Sequence, residues 1–477
     1  MLIRLFIVLL LTNLFSTNSK AAEKKESSIR IDLKSAIEMA LANSPDMRRA
    51  LLSVNDADQL ENLAWAEVLP TVSSDLGYTR NMEIPVNFVP GEFFGGEPGT
   101  LVPIAFGTDN SWDGGFTVRQ TLLRGQAFIG ISTSTVFRLA QLENFRATSQ
   151  QVVTQTRQAY YAVLIAQQQL NLQGSSLARL KANLDENQAR AKSGIIDEYE
   201  VLRLQVQVKN EEPKVLQVEN QLKEALRNLK IIIGLPLDTP LEILGDLSQY
   251  DLLTSESTIE TNTSIVEVSN QTPFSPMLKS NEIVDLNKFR GDLRVLDYQI
   301  QLKKKEIAAE KSVYLPNISA TYNLRWSAAQ SGKPIFFGES NTRARFQTLG
   351  LSASLPLFDG MRRNVNVQRA IIARKDLEVQ YEFLDKRAQN ELITTSEEIL
   401  QIFEILPSTK DGVDLARKGY DRALSRFKNG IGSQLDVTEA EIQLRQAELN
   451  LATLVYQYLS SKANYDQALG RVPFVSN

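Results

Sequence analysis

Residues 426–437, RFKNGIGSQLDV, form the stretch at which we expect the chain to reverse direction. Apolar and small residues recur at alternating steps of four and three on both sides of this stretch, from Ala388 to Phe427 and from Val437 to Ala468. Such spacing is typical of a coiled-coil seam, and Gly430 permits a tight reversal. The pattern therefore predicts two long helices joined by a short turn.

The same arrangement occurs once before in the chain. Lys192-Ser193-Gly194-Ile195 matches Lys428-Asn429-Gly430-Ile431 at an offset of 236 residues, again between two stretches with heptad spacing. Further matches follow in the same order: Asp46-Met47-Arg48 with Asp292-Leu293-Arg294, Val68-Leu69-Pro70 with Tyr314-Leu315-Pro316, Arg124-Gly125 with Asp359-Gly360, and Ile233-Gly234 with Leu469-Gly470. The order and spacing of these matches indicate an internal duplication.

The duplication divides the chain. We predict a signal peptide at 1–21, a first repeat at 22–234, an inter-repeat segment at 235–291, a second repeat at 292–470 and a tail at 471–477. Length differs by 11 residues between Pro70–Gly125 and Pro316–Gly360, which is typical of surface loops. The polar stretch 254–270 has no helical periodicity, so we expect the inter-repeat segment to lie outside the helical part.

Each repeat is predicted to contain a short helix, a long helix and a return helix. The long helices are expected at about 126–192 and 361–428, and the return helices at about 197–232 and 435–469. At about 1.5 Å per residue a long helix measures about 100 Å, and the return and short helices together have nearly the same length. Pro213 lies inside the first return helix, where we expect a local bend.

Two segments of each repeat show partial alternation of apolar and polar residues. The predicted strands lie at about 69–80 and 113–124, and at about 316–326 and 349–359; loops rich in Gly, Pro and aromatic residues separate the members of each pair. About ten residues suit a tilted strand that crosses a membrane. Four strands cannot enclose a lumen, so spanning requires several chains, and three would supply 12 strands. Hairpins that cap a soluble helical bundle remain the alternative interpretation.

Composition excludes several classes of function. The 477 residues contain neither Cys nor His, which removes thiol and Ser-His-Asp catalysis and the usual zinc and haem sites, and we expect no cofactor and no metal. A net charge of −4 argues against nucleic-acid binding. A hydrolase with paired carboxylates has no supporting constellation, because the acidic residues fall mostly on solvated helix faces.

Taken together, these features resemble the TolC-like outer-membrane efflux protein family over essentially the whole mature chain. The resemblance is carried by Asn43-Ser44-Pro45, by Ala66 to Pro70, by the strand exits at 122–125 and 357–360, and by the turn at 426–437. It implies a mainly α fold with a transmembrane β-barrel: a homotrimer whose 12-stranded barrel lies in outer-membrane lipid and continues into a 12-helix periplasmic tunnel.

The resemblance also implies a function and its partners. The chain would be the outer-membrane exit duct of a tripartite efflux or type I secretion system, working with a periplasmic adaptor (membrane fusion) protein and an inner-membrane pump of RND or ABC type. It would be a passive conduit and not an enzyme. The alternative is a periplasmic adaptor or structural coiled-coil protein, which usually has one helical hairpin instead of two. The exported substrate cannot be predicted.

By resemblance, the periplasmic gate maps to acidic residues just after the turns, namely Asp436, Glu439 and Glu200. A threefold assembly would make each a ring of like charge that attracts cations. The alternative is that these residues only complement a helix N-terminus. Adaptor contact maps to the turns themselves, at Gly194, Ile195, Ile196, Gly430, Ile431 and Gly432; these residues could instead only shape the turn.

Overall fold

A computed structural model describes residues 29–247, 250, 286–334 and 343–471. The predicted signal peptide, the polar stretch 254–270 and residues 472–477 of the predicted tail lie outside the described residues. Among the described residues, no helix is both long and apolar enough to cross a membrane.

A short helix, two long strands, a long helix and a return helix follow in the same order in both repeats, and the first repeat has further elements. The first repeat contains β1 Ile29–Ile31, α1 Leu33–Asn43, α2 Pro45–Ala66, β2 Thr71–Arg80, β3 Val86–Pro90, a 3-10 turn Gly91–Phe94, β4 Leu101–Ala105, β5 Asn110–Leu123, α3 Gly125–Lys192 and α4 Glu198–Ile232. The rest comprises β6 Leu241–Ile243, α5 Leu286–Phe289, α6 Gly291–Ser312, β7 Asn317–Gln330, β8 Arg343–Ser354, α7 Arg362–Lys428 and α8 Gln434–Ala468.

The long and return helices have matching lengths in the two repeats. Helices α3 and α7 contain 68 and 67 residues, and α4 and α8 contain 35 each. Helix α4 continues through Pro213 and α7 continues through Pro407, so neither proline ends its helix. The bend expected at Pro213 stays a prediction.

Strands of both repeats form one antiparallel sheet in the order β2-β5-β7-β8. Strand β8 begins six residues before the predicted position 349 and ends five before 359. The reason is that Pro356 lacks an N–H group and cannot continue the ladder, whereas Arg343 and Ala344 pair with Ala328 and Ser327 of a lengthened β7. The predicted loop between β2 and β5 contains a further hairpin, in which β3 pairs with β4.

The chain forms two compact units, each built from both repeats. One, here called the tip unit, comprises the described residues of 1–43, 156–259 and 405–457, with a core that includes Leu164, Leu204 and Val437. The other, here called the sheet unit, comprises those of 44–155, 260–404 and 458–477.

Each return helix ends on a glycine whose φ angle only glycine adopts readily. Gly234 (φ +73°) ends α4 and Gly470 (φ +69°) follows α8. A Cβ on Gly234 would lie 2.4 Å from the carbonyl oxygen of Asn43, and one on Gly470 would lie equally close to that of Phe289. The matched glycines of the duplication therefore allow each return helix to end against the chain just before a short helix.

Candidate gate, partner-contact and conduit sites

Both helical turns close with the same hydrogen bonds. The Gly194 and Ile195 amides donate to the carbonyls of Ala191 and Arg190, at 2.9 and 3.0 Å. In the second turn Gly430 and Ile431 repeat the two bonds at 3.0 Å each. Gly194 and Gly430 have φ angles of +73° and +75°, as this type of helix end requires.

The predicted adaptor-contact residues differ in exposure. Ile195 and Ile431 follow the two glycines and are 69% and 68% exposed, so each turn presents an apolar knob. Ile196 and Gly432 are half-buried. A Cβ on Gly432 would lie 3.1 Å from the backbone nitrogen of Phe427, so a side chain there would crowd the end of α7.

The structure brings the two turns together at one end of the tip unit. The Arg190 guanidinium lies 4.9 Å from the centre of the Phe427 ring and donates to the Phe427 and Lys428 carbonyls, at 3.4 Å each. The buried Asn187 amide donates to Oε1 of Gln434 at 3.1 Å. Heptad spacing does not predict these contacts between repeats, because it does not show which residues of different repeats meet.

Asp436 closes a reciprocal cap at the start of α8. The Ser433 amide donates to Oδ2 of Asp436, and the Asp436 amide donates to Oγ of Ser433, at 3.1 Å each. This capping box satisfies amide groups that the helix leaves unpaired. Asp436 therefore does complement the N-terminus of α8, as the alternative to a gate role requires, while its side chain remains exposed.

The other two predicted gate residues lie in different surroundings. Glu439 is exposed and makes no hydrogen bond or ion pair within the described part of the chain. Glu200 is half-buried and pairs at 3.5 Å with Arg203 of its own helix. Asp197, which was not predicted as a site residue, caps α4 by accepting a bond of 2.9 Å from the Tyr199 amide.

A charged cluster lies inside the tip unit, away from the turns along the helices. Glu211 of α4 is 4% exposed and is held by Arg445 of α8, by Gln173 of α3 and by Lys214 at 2.9 Å. Burial alone would raise the pKa of Glu211, but the hydrogen bond from Lys214 and the charge of Arg445 hold this pKa below its usual range. Glu211 occupies a heptad seam position, where an apolar residue is expected. A carboxylate at such a position is the feature of the sequence that could have indicated this cluster.

The four-stranded sheet has two chemically different faces. On one face Arg325 of β7 donates to Asp75 of β2 at 2.6 Å and to Asp113 of β5 at 3.1 Å. This face also carries hydrogen bonds between neighbouring strands: Thr117 to Asn323 (3.0 Å), Asn323 to Thr348 (3.2 Å) and Ser319 with Ser352 (2.9 Å).

The opposite face of the sheet is apolar and aromatic. It includes Val72, Leu76, Phe116, Trp326, Leu349 and Leu351, all of them exposed. Leu76 is 90% exposed, and the Phe116 and Trp326 rings meet edge to face at 6.2 Å. A sheet with one polar and one apolar face suits a boundary between water and lipid.

The duplicated helical hairpins and the two-faced sheet fit a channel-type protein of the outer membrane. The chain belongs to the outer membrane efflux protein family, whose model matches residues 36–235 and 284–471. The protein is thus an outer-membrane exit duct of a channel family rather than an enzyme family, and the alternative of an adaptor or structural coiled-coil protein is wrong.

Two relatives and one solved structure are distant in sequence but match nine-tenths of the chain or more. The probable outer membrane lipoprotein SilC of Salmonella typhimurium is 21% identical, over 90% of this chain and 84% of its own. The alkaline protease secretion protein AprF of Pseudomonas aeruginosa is 22% identical, over 92% and 84%. The CmeC outer membrane channel of Campylobacter jejuni shares the fold, with a TM-score of 0.69 and 17% identity over 92% of this chain and 85% of its own.

Proposed function

We propose that three copies of this chain close a 12-stranded barrel in the outer membrane and a 12-helix tunnel in the periplasm. The observation that carries the proposal is the two-faced sheet, in which the outer strands β2 and β8 each pair with one neighbour among the described strands. An open sheet leaves unpaired backbone groups, which a lipid environment does not tolerate. Pairing of β2 in one copy with β8 of the next would satisfy them and close a ring. The polar face would then line the duct.

The partners follow from the proposed place of the duct. A periplasmic adaptor would join the tunnel to an inner-membrane pump of RND or ABC type. AprF is named for protease secretion and SilC as a lipoprotein, so the names leave the type of pump and the cargo open. For the adaptor contact we propose the exposed Ile195 and Ile431, positioned by Gly194 and Gly430.

Closure of the barrel can be tested directly because the chain contains no cysteine. A cysteine at Ser74 of β2, combined in turn with single cysteines along β8, should give disulfide-linked trimers at one register only. The same scan along β7 is the matched control, because β7 is already paired on both sides. Equal cross-linking at all positions, or dimers only, would contradict the barrel.

We further propose that Asp436, Glu439 and Glu200 form the charged gate at the turns. Asp436 also caps α8, so the experiment must separate the effect of its charge from the effect of its capping hydrogen bond. Asp436→Asn keeps an oxygen that can accept the Ser433 amide but removes the charge, whereas Asp436→Ala removes both. The proposal predicts that both variants, each combined with Glu439→Gln, reduce block of the channel by divalent cations in planar bilayers. A role in capping only would leave the Asn variant like the wild type.

A further inference from the structure

The apolar face of the four-stranded sheet carries charge at one end only. The strand register places Arg80, Arg343 and Arg345 on this face, and its other residues in the four strands are uncharged. Arg80 is the last residue of β2, and the other two lie at the start of β8. These strand ends lie away from the helices, because β2 follows α2 and β8 leads into α7. If the helices lie in the periplasm, the three arginines lie on the side of the outer leaflet.

The arginines begin where the aromatic residues of this face end. Arg345 lies directly opposite Trp326 in the β7–β8 ladder. Arg80 follows Tyr78 by two residues and therefore lies on the same side of β2, about 7 Å further along the strand. Tyr and Trp concentrate at membrane–water boundaries. The arginines are thus expected at the level of the lipid headgroups.

The three arginines have no counter-charge in the part of the chain that the structure describes. All three are exposed, and their side chains form no hydrogen bond or ion pair with described residues. Arg325 on the polar face is different, because it pairs with both Asp75 and Asp113. Like charges that lie close together repel each other, so an anion from outside the chain would stabilise them.

Closure of the proposed barrel would bring the arginines of two copies together. Within one chain β2 and β8 are separated by two strands, so Arg80 lies about 14 Å from the β8 arginines. At the seam between copies, β2 of one copy and β8 of the next would be neighbours about 4.8 Å apart. The membrane surface is one plane, so Arg80 and Arg345, which both adjoin the aromatic residues, would lie at the same depth on the two sides of the seam.

The chemistry of this cluster fits a phosphate group on a lipid. A guanidinium donates two parallel hydrogen bonds to phosphate oxygens, a geometry that a lysine does not offer, and all the cations of this face are arginines. The apolar side chains that follow below them, such as Leu76 and Leu349, are exposed and suit acyl chains. A free phosphate ion would gain nothing from that apolar surface, so the combination favours a phosphorylated lipid.

From these observations we propose that each seam between copies binds one phosphorylated lipid of the outer leaflet. Its phosphate groups contact Arg80 of one copy and Arg343 and Arg345 of the next, and its acyl chains cover the adjoining apolar face. The bound lipid neutralises the arginines and links neighbouring copies. The inference rests on the proposed barrel, because the seam exists only in the assembly, but not on the gate or on the adaptor contact.

The test counts lipid A molecules on the full-length protein. Trimers purified in detergent and freed of native lipid are mixed with diphosphorylated lipid A and analysed by native mass spectrometry, and we expect three bound molecules, one for each seam. Losing one arginine near an anionic lipid should weaken binding about fivefold, so changing all three to Gln should weaken it about 100-fold. Arg119→Gln is the matched control, because Arg119 is exposed on the polar face, and it should bind like the wild type.

Single variants show whether the arginines of two copies share one site. With one site at each seam, Arg80→Gln and Arg345→Gln should each lower the affinity for all three lipid molecules and leave their number at three. Separate sites at the two edges of each chain would instead bind six molecules to the wild type, and each variant would lose three of them. That result would overturn the shared site.

The wild-type protein provides a second measurement that does not depend on whether a variant assembles. Dephosphorylated lipid A should bind wild-type trimers at least about tenfold more weakly than lipid A, since the phosphate contacts are lost. Equal binding of the two lipids, or unchanged binding by the triple Gln variant, would show that the arginines only reach water. Displacement of lipid A by an equal concentration of inorganic phosphate would assign the site to a free anion. Absence of trimers in the wild type would contradict the barrel itself, whereas trimers without lipid A would contradict only the lipid site.

Discussion

The buried pair of Glu211 and Arg445 connects the two repeats inside the tip unit, and its loss should loosen the end that carries the turns. Arg445→Met leaves Glu211 buried with Gln173 and the half-exposed Lys214 as its remaining partners. Removing one partner of a buried ion pair costs about 3–5 kcal/mol. Because Lys214 still compensates part of the charge, we expect the low end, about 3 kcal/mol.

Hydrogen exchange of the detergent-solubilised protein, followed by mass spectrometry, measures this effect locally. A loss of about 3 kcal/mol corresponds to exchange about 100-fold faster for amides that open with this cluster, in α4 and α8 around residues 211 and 445. Arg417→Met is the matched control, because Arg417 pairs with Glu448 in α8 but is exposed and should cost about 1 kcal/mol or less.

A double change sharpens the test. Glu211→Leu with Arg445→Met removes both charges, so it should recover much of the stability that Arg445→Met alone loses. Unchanged exchange in Arg445→Met, or a double variant as unstable as the sum of the two single ones, would refute the view that the loss comes from an uncompensated buried charge.

Three further predictions concern other parts of the chain. Gly194→Ala and Gly430→Ala should each destabilise the turns by about 1 kcal/mol because of their positive φ, whereas Gly174→Ala, inside α3 with open space around it, should be neutral or stabilising in thermal melts. Gly115→Ala should lower the yield of folded protein in outer-membrane fractions, because its Cβ would lie 2.3 Å from the Leu324 carbonyl oxygen. Gly350→Ala is the control, because its Cβ would lie 3.9 Å from the Thr321 carbonyl oxygen, at an ordinary contact distance. Burial would raise the pKa of Asp292, but its hydrogen bond and ion pair with Arg290 hold this pKa below its usual range. The stability that Asp292 contributes is therefore present above about pH 4 and is lost as the pH falls through its pKa in the folded protein. Asp292→Asn should flatten that part of the dependence of melting temperature on pH.

The sequence predicts best those features that one repeat determines by itself. Gly194 and Gly430 precede an isoleucine and follow a heptad series, so each turn can be recognised without knowing what lies beside it. The bounds of the strands are harder to predict from the sequence, because the register of a strand depends on the strand beside it. For this reason the sequence pattern places β8 several residues too late, although Pro356 indicates where its ladder ends.

Contacts between repeats could not be predicted. Nothing in the heptad spacing shows that Arg190 meets Phe427 or that Glu211 meets Arg445. The two residues of each pair lie more than 230 positions apart and do not occupy equivalent positions in the two repeats. Asp436 is the opposite case, because its local contact can be predicted from the sequence. Its spacing from Ser433 is a recognisable capping box, whereas a ring of Asp436 charges would form only when several copies assemble and so leaves no mark in the spacing.

The most direct test of the central claim, that the polar face of the sheet lines a water-filled duct, is a single-channel recording with a charged, water-soluble thiol reagent. Purified Thr117→Cys, on the polar face, and Leu351→Cys, on the apolar face, are compared in planar bilayers. We predict that the reagent lowers the conductance of the Thr117 variant in discrete steps, one for each copy, and leaves the Leu351 variant unchanged. A protein that forms no conducting pore, or a conductance that falls only for the Leu351 variant, would contradict the account.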